Sequence, residues 1–210
     1  MDIVYLGHSC FKLKGKEAIV IADPFDKKTI GFGMSGASAD IVTVSSDDSS
    51  HNAINQVSGT ARRSDPYIIT APGEYEVSGV GVFGWGNYKE VFEGANTEKN
   101  TIYSVIVDGV RIVHTGMMKQ VLSDSLAEDL GTVDVLLIGI RQGSEFGPKE
   151  AAQVVEKLSP SIVIPVLYEL AEVTEFLKLM GAAEMEPVDK VKVTKDSLPE
   201  GTQTILMSKG

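Results

Sequence analysis

The sequence predicts one domain, residues 1–210, of mixed α/β (α+β) class. Three observations support this prediction. Its 210 residues are 43% hydrophobic, enough to bury one sizeable core. The first half consists of short extended runs, whereas the second half alternates apolar strands with amphipathic helices. Nothing in the sequence resembles the low-complexity linkers that separate domains, so a single domain is expected.

Short runs rich in β-branched and aromatic residues predict the strands of the first half. Gly, Pro, Asp and Ser separate them, as is typical of turns between strands. Lys14-Gly15 and Asp108-Gly109 predict hairpin turns, and an Asp-Gly pair tolerates the positive φ that a tight turn requires. The predicted strands are 3–6, 10–13, 18–21, 41–44, 67–70, 75–77, 80–83, 101–107 and 111–114.

The second half predicts alternating helices and buried strands. Ser125 and Glu128 form a candidate capping box for a helix that ends at Gly131, and Pro148 opens a second helix. Residues 133–140 and 161–167 are apolar enough to be strands covered on both faces, and 191–193 and 204–207 predict closing strands. The apolar faces of the last two helices are Ala151, Val154, Val155 and Leu158, then Leu170, Val173, Phe176, Leu177 and Met180.

Charge and cysteine content exclude several classes of protein. The formal net charge of −10 repels phosphate backbones and anionic lipids, so neither nucleic acid nor a membrane is an expected partner. Cys10 is the sole cysteine, which rules out an intrachain disulfide and fits a reducing compartment. The chain shows no signal peptide and no apolar run of about 20 residues, so we expect a cytoplasmic protein. The partner, either a protein or a small molecule, is unknown.

The order of several motifs is more specific than any one of them. They are GHSCF at 7–11, IADPFD at 21–26, a strand entering a polar loop at 41–52, APGEYEVSGV at 71–80, NTIYSVIVDGVRIVHTG at 100–116 and IVIPVLY at 162–168. This order resembles the metallo-β-lactamase superfamily, close to its small L-ascorbate-6-phosphate lactonase-like branch. The resemblance covers nearly the whole chain. It implies a four-layer αββα sandwich with a metal site at one edge, between the two sheets.

The resemblance also specifies which metal ligands to expect. The family places His-x-His-x-Asp-His after the strand, a further His downstream, an Asp after His-x-Gly and a final His after Ile-Pro. Such ligands hold two metal ions that lower the pKa of a bridging water to about 7, which allows hydroxide to attack a carbonyl or phosphorus centre. At these positions the chain has Ser46, Asp48, Ser50, His51, Lys89, Met117 and Leu167, of which His51 alone matches.

These replacements predict a degenerate, vestigial metal site and no cofactor. Met117 and Leu167 are not ligands for such ions, and a Lys89 ammonium would repel a cation. The alternative is one weakly bound zinc ion held by Asp48 and His51, with Asp47, His8 or His114 nearby; Asp47 and Asp48 would otherwise belong to a solvated capping loop. In the family, residues equivalent to His8 and His114 lie beside the site, and the equivalent of Asp23 braces the ligand loop.

Three functional classes therefore stay open. The favoured class is a non-catalytic homologue with a binding, regulatory or assembly role. The second is a hydrolase of a phosphate ester, lactone or small ester with a residual mononuclear site, and the third is a metal-free enzyme that reuses cleft residues. An Asp48–Ser50–His51 triad is disfavoured, because sequence neighbours rarely have the hydrogen-bond geometry of a nucleophile and its base. A G-x-G-x-x-G match at 79–84 lies within a strand pattern and predicts no phosphate site.

Overall fold

Two mixed β-sheets form the centre of the molecule in a computed structural model that describes residues 1–87, 99–141, 146–182 and 185–209. The first sheet has six strands in the order β12-β1-β2-β3-β4-β5. Its strands are β1 (Asp2–Gly7), β2 (Cys10–Lys14), β3 (Ile19–Ala22), β4 (Ile41–Thr43), β5 (Tyr67–Ile69) and β12 (Val191–Lys192). The β3–β4 and β4–β5 pairs are parallel, whereas β1, β2, β3 and β12 pair antiparallel.

The second sheet has seven strands in the order β13-β11-β10-β9-β8-β7-β6. They are β6 (Gly73–Val77), β7 (Val80–Gly86), β8 (Thr101–Val107), β9 (Val110–His114), β10 (Val135–Gly139), β11 (Ile162–Val166) and β13 (Gln203–Thr204). Strands β9, β10 and β11 are parallel neighbours. The loops that follow these three strands therefore leave the sheet at the same edge.

The helices are α1 (Lys27–Ile30), α2 (Asp124–Leu130), α3 (Pro148–Leu158) and α4 (Leu170–Leu179). Helices α3 and α4 bury their apolar faces in one cluster with strand residues of the second sheet, such as Leu136 and Val163. A second cluster, which includes Ile3, Phe11, Tyr103 and Ile164, fills the space between the sheets. A third covers the outer face of the first sheet around Phe25. This arrangement confirms the predicted α+β sandwich.

The strand predictions are confirmed except that the last strand, predicted at 204–207, forms at Gln203–Thr204, and the helix predictions need three corrections. The turn between β8 and β9 has positive φ at Asp108 and Gly109, as the Asp-Gly pair predicts. Helix α2 is capped by Ser123, whose Oγ accepts from Leu126 N, and not by Ser125. Leu170 is 81% exposed rather than part of the apolar face of α4. The four-residue helix α1 has too short a pattern to be predicted from hydrophobic periodicity.

Within the described part of the chain, no helix combines the length and the apolar character that a membrane-crossing segment needs.

Candidate functional site

A cleft of about 540 Å³ opens where loops of the two sheets meet. The first wall belongs to the first sheet: the turn after β1 supplies His8, and the loop after β4 supplies Asp48, Ser50 and His51. The second wall comes from the loops that follow β9, β10 and β11. Its side chains are those of Met117, Met118, Lys119, Arg141, Phe146 and Leu167. The first wall is therefore mainly polar, and the second is apolar with two cations.

Asp23 braces the loop that carries the first wall. This residue is fully buried, and its Oδ1 accepts a 2.7 Å hydrogen bond from Ser45 N while its Oδ2 accepts a 2.6 Å bond from Ser45 Oγ. Its backbone has a φ of 48°, a conformation that costs free energy for residues other than glycine. The two short bonds to Ser45 hold the start of the 45–51 loop in place despite that cost.

Asp48, Ser50 and His51 form a continuous hydrogen-bonded chain. Ser50 N and Ser50 Oγ both donate to Asp48 Oδ1, at 2.8 and 2.5 Å, and Ser50 Oγ lies 2.7 Å from His51 Nδ1. Because the single hydroxyl proton of Ser50 goes to Asp48, His51 Nδ1 must donate to Ser50 Oγ. The three side chains are therefore hydrogen-bonded to one another, although not in the arrangement of a nucleophile and its base. The order is Asp–Ser–His, with the serine in the middle, so the imidazole does not act as the base for this hydroxyl.

All three histidines of the chain lie at the base of the cleft. His51 Nε2 and His114 Nδ1 lie 3.9 and 3.8 Å from the same oxygen, Asp23 Oδ2, and the rings of His8 and His51 are 4.9 Å apart. His114 Nε2 lies 3.0 Å from Ser9 O and must donate to it, since a carbonyl oxygen accepts. His8 Nε2, His51 Nε2 and His114 Nδ1 are buried without a hydrogen-bond partner.

Burial sets the protonation of the first wall. It lowers the pKa of His8 to about 4, assisted by the positive charges that His51 and Arg141 can carry, and it also lowers the pKa of His51. Hydrogen bonds from the Ser50 side chain and backbone lower the pKa of Asp48. At neutral pH the wall therefore presents neutral imidazoles beside an ionised Asp48.

The second wall is shaped by backbone geometry around Gly116 and Leu167. Gly116 has a φ of 59°, and a Cβ there would overlap Ser45 and Asn100. Asn100 Oδ1 accepts from Met117 N at 2.8 Å, and Asn100 Nδ2 donates to Thr115 O at 3.0 Å, which holds the 115–117 turn. Leu167 has a φ of 52° and packs against the cluster between the sheets.

The residues of this cleft do not fit a pair of metal ions. Met117 and Leu167 place a thioether and a methyl group on the second wall, and Lys119 and Arg141 add positive charge beside them. On the first wall, Asp48 Oδ1 and His51 Nδ1 are both hydrogen-bonded to Ser50. Within residues 1–87, 99–141, 146–182 and 185–209, no three His, Cys, Asp or Glu side chains are grouped to hold a metal ion.

The structure brings most of the predicted site residues together. Those that line the cleft are His8, Asp48, Ser50, His51, Met117 and Leu167, while Asp23 and His114 meet His51 beneath it. Ser46 begins the turn, where its Oγ accepts from Asp48 N at 3.3 Å. Lys89 lies outside the described residues.

Several site residues were missed from sequence. Arg141 and Lys119 follow strands β10 and β9, and the only available signal was their place just after those strands. Ser45 and Asn100 bond Asp23 and Met117 from far along the chain. Their roles depend on pairings between distant segments, which local sequence patterns do not carry.

Known proteins resemble this chain over most of its length. Residues 2–167 match the family model described as the beta-lactamase superfamily domain. A protein of Thermococcus onnurineus named a metal-dependent hydrolase is 28% identical over 86% of this chain and 92% of its own length.

Solved structures show the same fold. A Thermotoga maritima protein, described as a proposed Zn-dependent hydrolase of the metallo-β-lactamase superfamily, superposes with a TM-score of 0.79 at 27% identity, covering 98% of this chain and 97% of that one. An isothiocyanate hydrolase from Delia radicum gut bacteria superposes with a TM-score of 0.67 at 12% identity, covering 100% and 97%. At that identity the second likeness concerns the fold alone.

Proposed function

Since the chain belongs to the metallo-β-lactamase superfamily, we propose that it is a homologue that has lost the binuclear metal site and acts without metal-hydroxide catalysis. Its role would be binding, regulation or assembly, through the cleft or a protein surface. The observation that supports this proposal is the composition of the second wall. Met117 and Leu167 occupy positions where the resemblance to the lactonase-like branch expects a bridging carboxylate and a closing imidazole.

The energetics of burial favour this proposal. A pocket that kept its carboxylates and imidazoles after losing two cations would hold uncompensated buried charge. Met117 and Leu167 instead line that side of the cleft with apolar atoms, and Leu167 contacts the core between the sheets. A cation bound only at the first wall would keep most of its waters, so its bound water would be far less acidic than in a closed zinc site.

A residual mononuclear hydrolase is the second candidate. The three unpartnered imidazole nitrogens of His8, His51 and His114 favour it, because such nitrogens can bind metal. His51 Nε2 and His114 Nδ1 lie 3.9 and 3.8 Å from Asp23 Oδ2, but no three His, Cys, Asp or Glu side chains in the described part of the chain are already grouped to hold an ion. The name of the Thermococcus relative gives this candidate further weight.

Metal content and turnover distinguish the two candidates. Protein purified without chelator is analysed by mass spectrometry, and hydrolysis of phosphodiester, lactone and β-lactam substrates is measured with added Zn²⁺ and Mn²⁺. We expect no stoichiometric metal, no turnover above background and an unchanged melting temperature after EDTA. The control is His51→Ala. About one equivalent of tightly held metal, or turnover that His51→Ala abolishes, would replace the first candidate with the second.

A further inference from the structure

The two walls of the cleft differ in charge and polarity in a way that indicates a ligand. The first wall carries Asp48, ionised and hydrogen-bonded by Ser50, above the neutral imidazoles of His8 and His51. The second wall is apolar, with the cations of Lys119 and Arg141 among its lining side chains. A molecule that fits both features of the second wall has an apolar body and one anionic group.

We propose that the cleft binds a small amphipathic anion, with its apolar body against Met117, Phe146 and Leu167 and its anionic head at Arg141. This inference rests on the proposed metal-free function and names the class of ligand. The cleft volume of about 540 Å³ is within the range of small-molecule sites, which are mostly apolar with a few placed polar groups. The anion would occupy the side of the former metal site where the cations lie.

Arg141 is suited to hold the anionic head. Its guanidinium lies 4.0 Å from Glu169, and because both side chains are largely exposed, at 64% and 80%, this ion pair is weak and easily exchanged for a ligand. Arg141 and His8 line the same cleft, so the guanidinium is accessible to a ligand bound there. A guanidinium also presents paired donors that match a carboxylate.

The apolar body belongs on the second wall because that wall offers exposed methyl and thioether surface. Met117 and Leu167 are only partly buried, and Leu167 packs against the fully buried core between the sheets. Methionine adapts its shape to irregular apolar ligands. Asp48 on the facing wall disfavours an anionic head there, so the ligand orientation is set by charge as well as by apolar contact.

Octanoate tests this proposal, with octylammonium and 1-octanol as probes of equal chain length. Binding to the full chain is measured by titration calorimetry at neutral pH, with metal content determined on the same preparation. We expect octanoate to bind and the other two probes to bind at least about tenfold more weakly. Arg141→Gln should weaken octanoate binding by about tenfold, and Arg63→Gln, an exposed arginine away from the cleft, should leave it unchanged.

A second variant tests the apolar wall independently. Met117→Gln keeps the length of the side chain and should weaken octanoate and 1-octanol alike, while a melting curve shows that the variant is folded. Metal-free protein that does not bind octanoate, that prefers octylammonium, or that responds equally to Arg63→Gln and Arg141→Gln would overturn this ligand class and leave the metal-free proposal standing. Stoichiometric metal in the same preparation would overturn both.

Discussion

Replacing Leu167 by histidine introduces the side chain that the family resemblance expects at this position and tests whether Leu167 is packed against the core. Leu167 lies directly after β11, is partly buried and contacts the core cluster between the sheets. Its Cδ1 is 3.3 Å from where a Cβ on Gly139 would lie, so the side chain sits against the β10 backbone. An imidazole would lose these apolar contacts and need a polar partner.

Two destabilising terms and one stabilising term determine the expected change in the free energy of unfolding. Losing the apolar contacts of a partly buried Leu costs roughly 1–2 kcal/mol, and an unpaired imidazole nitrogen adds about 1 kcal/mol or more. Histidine tolerates the φ of 52° better than leucine does, which returns a few tenths of a kcal/mol, on the order of 0.5. We therefore expect Leu167→His to reduce the free energy of unfolding by about 1–3 kcal/mol.

Thermal and urea unfolding measure this change. For a chain of 210 residues the melting temperature should fall by about 3–10 °C, with or without added zinc. Leu170→His is the matched control, because Leu170 is 81% exposed and its replacement should change stability by less than about 0.5 kcal/mol. Equal melting temperatures for the two variants, or a zinc-dependent rise for Leu167→His alone, would refute the packed-site reasoning.

Two further predictions follow from the first wall. Asp23→Asn weakens the short bonds to Ser45 and should lower the melting temperature by roughly 5 °C in a thermal scan, because charge-assisted hydrogen bonds are worth about 1.5–3 kcal/mol. Asp47→Asn, at an exposed position, is the control. An equal fall in melting temperature for both variants would contradict the bracing role of Asp23. His8 has a folded pKa of about 4, below its unfolded value of 6.5, so its contribution to stability is complete above pH 6.5 and is lost as the pH falls toward 4. Urea midpoints from pH 7.5 to 4.5 should therefore fall less in His8→Asn, which keeps a residue suited to φ 56°, than in the wild type, and identical slopes would contradict this.

The sequence alone determined the elements and the candidate ligand positions. Strands such as 101–107 and the helix that begins at Pro148 follow from the local periodicity of apolar residues. This periodicity determines which face of a segment is buried, whatever the position of the segment in the fold. The positions of His51, Met117 and Leu167 came from the family resemblance that the motif order carries. They lie in the loops after β4, β9 and β11, respectively.

Only the tertiary structure decided how these positions meet. His51 and His114 are far apart in sequence, yet they meet around Asp23 because β4 and β9 belong to facing sheets whose loops share one edge. Loop packing likewise places Arg141 on the wall opposite Asp48. The position of Ser50 between Asp48 and His51 depends on the hydrogen bonds that these three side chains make. Such contacts join segments that no local pattern relates, so their free energy is realised only once the two sheets have packed together.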